Sequence, residues 1–297
     1  MHLQLPQTKL DLRMGEPVVM GILNIGRDSV ADSRTFEGLE QQLQRGLELV
    51  AAGAGIIDIG VLSGRTDTPA ISVEQEIEQL CPLVQALADA GVLVSIDTWR
   101  AQTIAAAVAA GAALINDTSG LLDPAVADIA ASSGAGLVVM HTRAAPKQVL
   151  FPGYEDPVAD VLEFLRERVT LATDRGVALD QILIDPGLDY TKSPQESIEV
   201  LRRLSELAVL ERPILLAVSR KYFIGMLTDA LPEERLAGTI AALEFGVSVG
   251  AQIVRVHDVA QVSQYLRLRA ALHGQGDVSM LGQRYDDRLK WIAPKAQ

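Results

Sequence analysis

Eight short apolar runs, each followed by a segment with helical spacing, predict an α/β protein. The expected architecture is one (βα)8 TIM barrel: a single domain with a parallel eight-stranded barrel inside a ring of outer helices. Three observations carry this. The runs are apolar at nearly every position instead of alternating, as strands buried on both faces are. The stretch from Pro17 to Leu272 divides into eight units of roughly 32 residues, which suits a barrel of about 250 residues better than an open doubly wound sheet of about five or six strands. Glycine closes several helical segments just before the next run, at Gly53, Gly91, Gly111 and Gly250, where a left-handed cap turns the chain back.

The expected strands are PVVMGILN (17–24), GIIDIG (55–60), VLVSID (92–97), AALIND (112–117), AGLVVMH (135–141), QILIDP (181–186), PILLAVS (213–219) and AQIVRVH (251–257). Between them, segments such as 37–53, 72–91 and 233–250 place apolar residues at helical intervals and serve as crossover helices. No Pro/Gly/Ser-rich linker interrupts the pattern. The barrel is therefore expected over 1–273, with 274–297 as an appended C-terminal tail.

Composition narrows the function. The 297 residues carry 26 Lys+Arg against 38 Asp+Glu, a net charge of -12, so phosphate-rich nucleic acid is an unfavourable partner. The single cysteine, Cys81, excludes an internal disulfide and a zinc-finger pattern, and the chain reads as cytoplasmic. The longest apolar run, 104–115, falls short of the roughly 18 residues that a membrane span needs. The N-terminal segment has no apolar signal core, so no export is expected.

In a barrel of this kind the chemistry sits where the carboxyl ends of the strands share one mouth. Those ends here carry Asn24, Asp58, Asp97, Asn116, Met140 and His141, Asp185, Ser219 with Arg220 and Lys221, and Arg255 with His257. Asp97, Asn116, Asp185 and Lys221 offer two carboxylates, an amide and an ammonium from four strands, a set suited to the edge of a flat heterocycle. Met140 would supply a soft apolar wall. The bland alternative is a ring of ion pairs at the barrel top, with Met140 simply part of the core. Arg255, His257 and Arg65 form a candidate anion site, since guanidinium forks match phosphate oxygens. Four histidines make a three-His metal site improbable, whereas Mg2+ held mainly by phosphate oxygens, with Asn24 as one protein ligand, suits this set.

These residues fall in ordered motifs that resemble the dihydropteroate synthase family: MGILN (20–24) with DS (28–29) and Asp32, IDIG (57–60) with Ser63 and Arg65, and SIDT (95–98). IND (115–117) with SG (119–120), MH (140–141) with Arg143, DPG (185–187), SRK (219–221) with FIG (223–225), and RVHD (255–258) follow in family order. The resemblance implies a barrel fold and a transferase that joins 6-hydroxymethyl-7,8-dihydropterin pyrophosphate to p-aminobenzoate, releasing pyrophosphate in folate biosynthesis. It implies that Asp97, Asn116, Met140, Asp185 and Lys221 hold the pterin, that Arg65, Arg255 and His257 hold the pyrophosphate, and that Asn24 faces Mg2+. Asp32 would stabilise the cationic carbon, and Ser219, Arg220, Tyr190 and Tyr222 would border the substrates. A homodimer through the late helices is also implied.

The chain departs from the family on the arylamine side. Gly26-Arg27-Asp28-Ser29-Val30 replaces the usual Thr-Pro-Asp-Ser-Phe, and Val61 to Asp67 keeps only Ser63 and Arg65 of Gly-Glu-Ser-Thr-Arg-Pro-Gly. After DPG, Asp189-Tyr190-Thr191-Lys192 stands for Gly-Phe-Gly-Lys, and Tyr222 occupies a position where Ser is common. Loss of one stacked ring is worth about 0.5–1.5 kcal/mol, so p-aminobenzoate and the sulfonamides that mimic it are expected to bind less well. Other readings are a paralogue using another amine, a pterin binder without turnover, a methyl-folate-dependent methyltransferase module, and an aldolase with Lys221 as a Schiff-base lysine.

Overall fold

The computed structural model describes residues 1–26, 38–61, 71–276 and 278–279. Eight parallel strands close into the expected barrel: β3 (Val18–Asn24), β4 (Ile56–Gly60), β5 (Val94–Asp97), β6 (Leu114–Asp117), β7 (Gly136–Met140), β8 (Ile182–Asp185), β9 (Ile214–Leu216) and β10 (Ala251–Val256). Neighbours follow chain order, and β10 pairs with β3 to complete the ring. Each expected run contains one of these strands. The seventh is shorter than its run: β9 covers only Ile214–Leu216, because the chain turns before Arg220, which takes φ 56°.

The helices on the outside are α1 (Leu39–Ala51), α2 (Val73–Asp89), α3 (Ala101–Ala109), α4 (Ala125–Ser133), α5 (Pro157–Asp174), α6 (Pro194–Arg202), α7 (Tyr222–Thr228), α8 (Leu236–Ser248) and α9 (Val259–Leu272). Their starts follow local chemistry. Ser72 and Ser193 cap α2 and α6 with reciprocal side-chain bonds to Gln75 and Glu196, and Asp156 caps α5 by accepting from Val158 and Ala159 N–H. The glycines before strands do turn left-handed, with φ 112° at Gly53, 76° at Gly91, 110° at Gly111 and 127° at Gly250. Of the segment 274–297, only 274–276 and 278–279 lie among the described residues.

Two cores result. Strand residues facing out, such as Ile57, Ile96, Ile115, Leu137 and Ile184, pack against the helices. Residues facing in, Met20, Ile56, Leu114, Val138, Leu183, Leu215 and Ile253, fill the lower barrel. An N-terminal hairpin, β1 (His2–Gln4) and β2 (Lys9–Asp11), inserts Leu3, Leu5 and Leu12 beneath them, each at most 3% exposed. The sequence reading did not foresee this plug. One layer higher the inward residues turn polar, and the site begins there.

Candidate active site

Strand register brings the mouth residues together. Asn24 lies opposite Gly60, Gly60 opposite Asp97, Asp97 opposite Asn116, and Met140 opposite Asp185. Lys221 stands at the N-cap of α7, beyond β9, and His257 follows the last residue of β10. Asp97 and Asp185 each feel the charges of both Lys221 and Arg255, so four strand–helix junctions meet in one electrostatic neighbourhood.

Arg255 organises one side. Its Nε donates to Asp58 Oδ2 at 2.6 Å and its Nη2 to Asp97 Oδ2 at 2.7 Å. Asp58 is wholly buried and also accepts from Ser95 Oγ at 2.5 Å and Asn116 Nδ2 at 3.1 Å. The Asn116 amide is thereby oriented, with its oxygen left to accept. Burial pushes the Asp97 carboxyl up to about 7, against the Arg255 guanidinium, which pulls it down. Asp58 was visible at a strand end, but its role was not. The signal that could have revealed it is charge balance: a buried arginine on β10 requires a carboxylate within reach.

Asp185 anchors the other side. It is 4% exposed and accepts from Gly187 N–H at 2.7 Å; burial holds its carboxyl above the usual carboxylate range. Lys221 donates to Leu188 C=O at 2.8 Å, and its Nζ lies 4.7 Å from the Tyr190 ring centroid, a cation–π contact. Burial lowers the Lys221 ammonium. Met140, 2% exposed, packs behind Gly187, where an added Cβ would come within 3.4 Å of its Cγ.

His257 is fixed by Ser219, whose Oγ accepts from His257 N–H at 3.1 Å and lies 3.0 Å from Nδ1. With one lone pair taken by the backbone N–H, the hydroxyl still has its own proton to give to Nδ1, and in that tautomer Nε2–H is the ring's remaining donor. Burial, with Arg255 and Arg220 nearby, pushes His257 down to about 3, so it works as a neutral donor. Arg220 forms a two-pronged pair with Asp258 at 3.0 and 2.6 Å. Asp32 and Arg65 lie outside the described residues.

Behind the site runs a chain of charges that sequence reasoning left unassigned. Arg143 pairs with Asp160 at 3.0 and 2.8 Å; Asp160 meets His141 Nε2 at 2.7 Å; His141 Nδ1 meets Lys192 Nζ at 2.6 Å. Burial and the Lys192 charge push His141 down to about 3, and burial pushes Lys192 down to about 7.

The altered loop after β8 keeps the backbone that glycines would take. Asp189 and Thr191, which replace the two family glycines, have φ 65° and 51°. Such angles cost a side-chain-bearing residue of order 1–3 kcal/mol. Each side chain makes contacts in return. Asp189 accepts from Tyr222 N–H at 2.5 Å and Phe223 N–H at 3.3 Å, at the start of α7. Thr191 Oγ1 accepts from Arg143 N–H at 3.2 Å and lies 3.0 Å from the Tyr154 hydroxyl.

A barrel whose mouth carries this set defines an enzyme of the pterin-binding class, and residues 20–257 match the family model described as "Pterin binding enzyme". Dihydropteroate synthase of Bacillus subtilis (strain 168) is 37% identical over 263 residues, covering 88% of this chain and 90% of that one. Among solved structures, the Yersinia pestis dihydropteroate synthase with a sulfonamide drug superposes with a TM-score of 0.86 at 35% identity, over 92% of this chain and 99% of that one. The Xanthomonas albilineans dihydropteroate synthase with 4-aminobenzoic acid gives 0.83 at 36% identity, also over 92% and 99%. The chain belongs to the dihydropteroate synthase family. It is accordingly a transferase of the dihydropteroate synthase type, acting in folate biosynthesis. No helix among the described residues is long and apolar enough to cross a membrane.

Proposed function

We propose that this transferase keeps a full grip on the pterin pyrophosphate but holds p-aminobenzoate weakly, and that sulfonamides inhibit it poorly. The pterin edge meets Asp97, Asn116, Asp185 and Lys221 over Met140, and the pyrophosphate meets Arg255 and His257 Nε2–H. Paired with Asp58 and Asp97, the Arg255 guanidinium is held before any ligand arrives, which suits electrostatic stabilisation of a leaving diphosphate. An arylamine is neutral at pH 7, so attack on the pterin methylene needs no strong base from the chain.

Among the described residues no three His, Cys, Asp or Glu side chains cluster as a metal cage. A divalent cation would therefore rely on the Asn24 amide oxygen, phosphate oxygens and water, a donor set that fits Mg2+. The space fits as well: opposite Asn24 stands Gly60, where a Cβ would lie 3.2 Å from Asn24 Oδ1. When bound, Mg2+ would supply charge neutralisation on the leaving pyrophosphate. A homodimer through the late helices draws support from the apolar exposure of Met226, Leu227, Phe245, Leu268 and Leu272.

The single observation behind the weak arylamine site is Asp189. Its carboxylate occupies the Tyr222 and Phe223 N–H groups on the side of the mouth where the family's sequence is lost. A second substrate bearing its own carboxylate meets repulsion there, and a neutral or cationic amine escapes it. The enzyme is to be supplied with 6-hydroxymethyl-7,8-dihydropterin pyrophosphate and Mg2+, with and without p-aminobenzoate, while pyrophosphate release is followed. Asp189→Gly is expected to lower KM for p-aminobenzoate roughly tenfold, about 1.4 kcal/mol, and to sharpen sulfonamide inhibition. An unchanged KM in a folded variant would reject the reading.

A further inference from the structure

Lys192 is 2% exposed and reaches only the backbone of the loop after β8 and the His141 ring behind it, and burying an ammonium is costly unless its partners compensate. Those partners are not carboxylates. Its Nζ lies 2.9 Å from Gly187 O, 3.1 Å from Tyr190 O and 2.6 Å from His141 Nδ1, three acceptors for an ammonium's three protons. The acceptor role of Nδ1 makes His141 an Nε2–H donor to Asp160, itself held by Arg143, so every member of the chain is satisfied. The ammonium is thus aimed at two backbone carbonyls of one short loop.

That loop carries three features of the mouth. Gly187 N–H donates to Asp185 Oδ1, Leu188 C=O accepts from Lys221 Nζ, and the Tyr190 ring lies against Lys221. The loop passes close over the end of β7, where only glycine fits: a Cβ on Gly187 would stand 2.0 Å from His141 O.

We propose that Lys192 is a positioning residue for the pterin site, tying Gly187 and Tyr190 from beneath so that Asp185 and Lys221 are set for the ring before it binds. The inference rests on the reading of Asp185 and Lys221 as pterin ligands. It assigns a task to a lysine that touches no substrate: fixing the peptide planes between a carboxylate and an ammonium on adjacent strand–helix units.

The test compares Lys192→Met and Lys192→Gln with the wild type, measuring affinity for the pterin pyrophosphate and KM for the arylamine separately. Pterin affinity is expected to fall roughly ten- to a hundredfold in Lys192→Met and less in Lys192→Gln, which keeps two donors, while arylamine KM changes less than about twofold. A general loss of structure would move both constants. Amide hydrogen exchange on the unliganded wild type adds a measurement that needs no variant: the backbone N–H groups over 187–191 are expected to be protected already. Equal pterin affinity in a folded Lys192→Met variant, or exchange over 187–191 that slows only when the pterin pyrophosphate is added, overturns the inference alone. Failure of the wild type to bind the pterin pyrophosphate overturns both the inference and the site reading beneath it.

Discussion

The two ends of the barrel are built from the same eight strands and do opposite work. At the lower end, Leu3, Leu5 and Leu12 of the hairpin meet Met20, Ile56, Leu114, Leu183 and Ile253 in one apolar cluster. At the upper end the next inward positions are Asp58, Asp97, Asn116, Asp185 and Arg255, each tied to another polar group. Burial of apolar area stabilises the first end; the second end spends stability, since desolvation raises Asp97 and Asp185 and lowers Lys221. A few residues along one strand separate scaffold from chemistry, as Ile56 and Asp58 do on β4.

Substitutions at the two ends should therefore separate cleanly. The largest effect is expected from Leu3→Ala, which opens a cavity in the plug. It should cost about 2–5 kcal/mol in chemical denaturation while KM for the pterin pyrophosphate stays put. A parallel rise in KM would break the division. Next comes Asp97→Ala, expected to weaken pterin binding by about 1.5–3 kcal/mol with a minor loss of stability, because Arg255 retains Asp58. Calorimetric titration beside thermal melts would sharpen the contrast.

The smallest effect is at His257. Its folded value, pushed down to about 3, lies below the ordinary 6.5, so its contribution to stability is complete above about pH 6.5 and is lost as pH falls from there toward 3. The stability of the wild type minus that of His257→Gln should accordingly shrink by about 2 kcal/mol between pH 7 and pH 5. A flat difference would place a charged imidazole in the folded mouth.

The sequence made the barrel legible because strands covered on both faces are apolar throughout, and because glycine marks the turns back to the sheet. Its strand ends named Asp97, Asn116, Asp185 and Arg255, and closure of the barrel brings these to one mouth. What it could not give was pairing: Asp58 reads as one more strand-end acid until Arg255, far along the chain, reaches it. Lys192 likewise stands in the sequence only as the lysine closing the altered segment after DPG, since nothing local reports that His141 and two carbonyls enclose it. The hairpin plug went unread because its two strands are only three residues each, too short for periodicity to register. Asp32 and Arg65 lie beyond the described residues, and their expected roles stand as the resemblance implies them.

Asp189 and Thr191 hold the left-handed turns that glycine would occupy without cost. The path of the chain there is one that glycine takes freely, so a two-residue exchange to glycine requires no new loop and should relax the polypeptide. The two side chains that depart from glycine thus sit on a main chain that glycine could adopt unchanged, and the barrel that displays them need not move to exchange them.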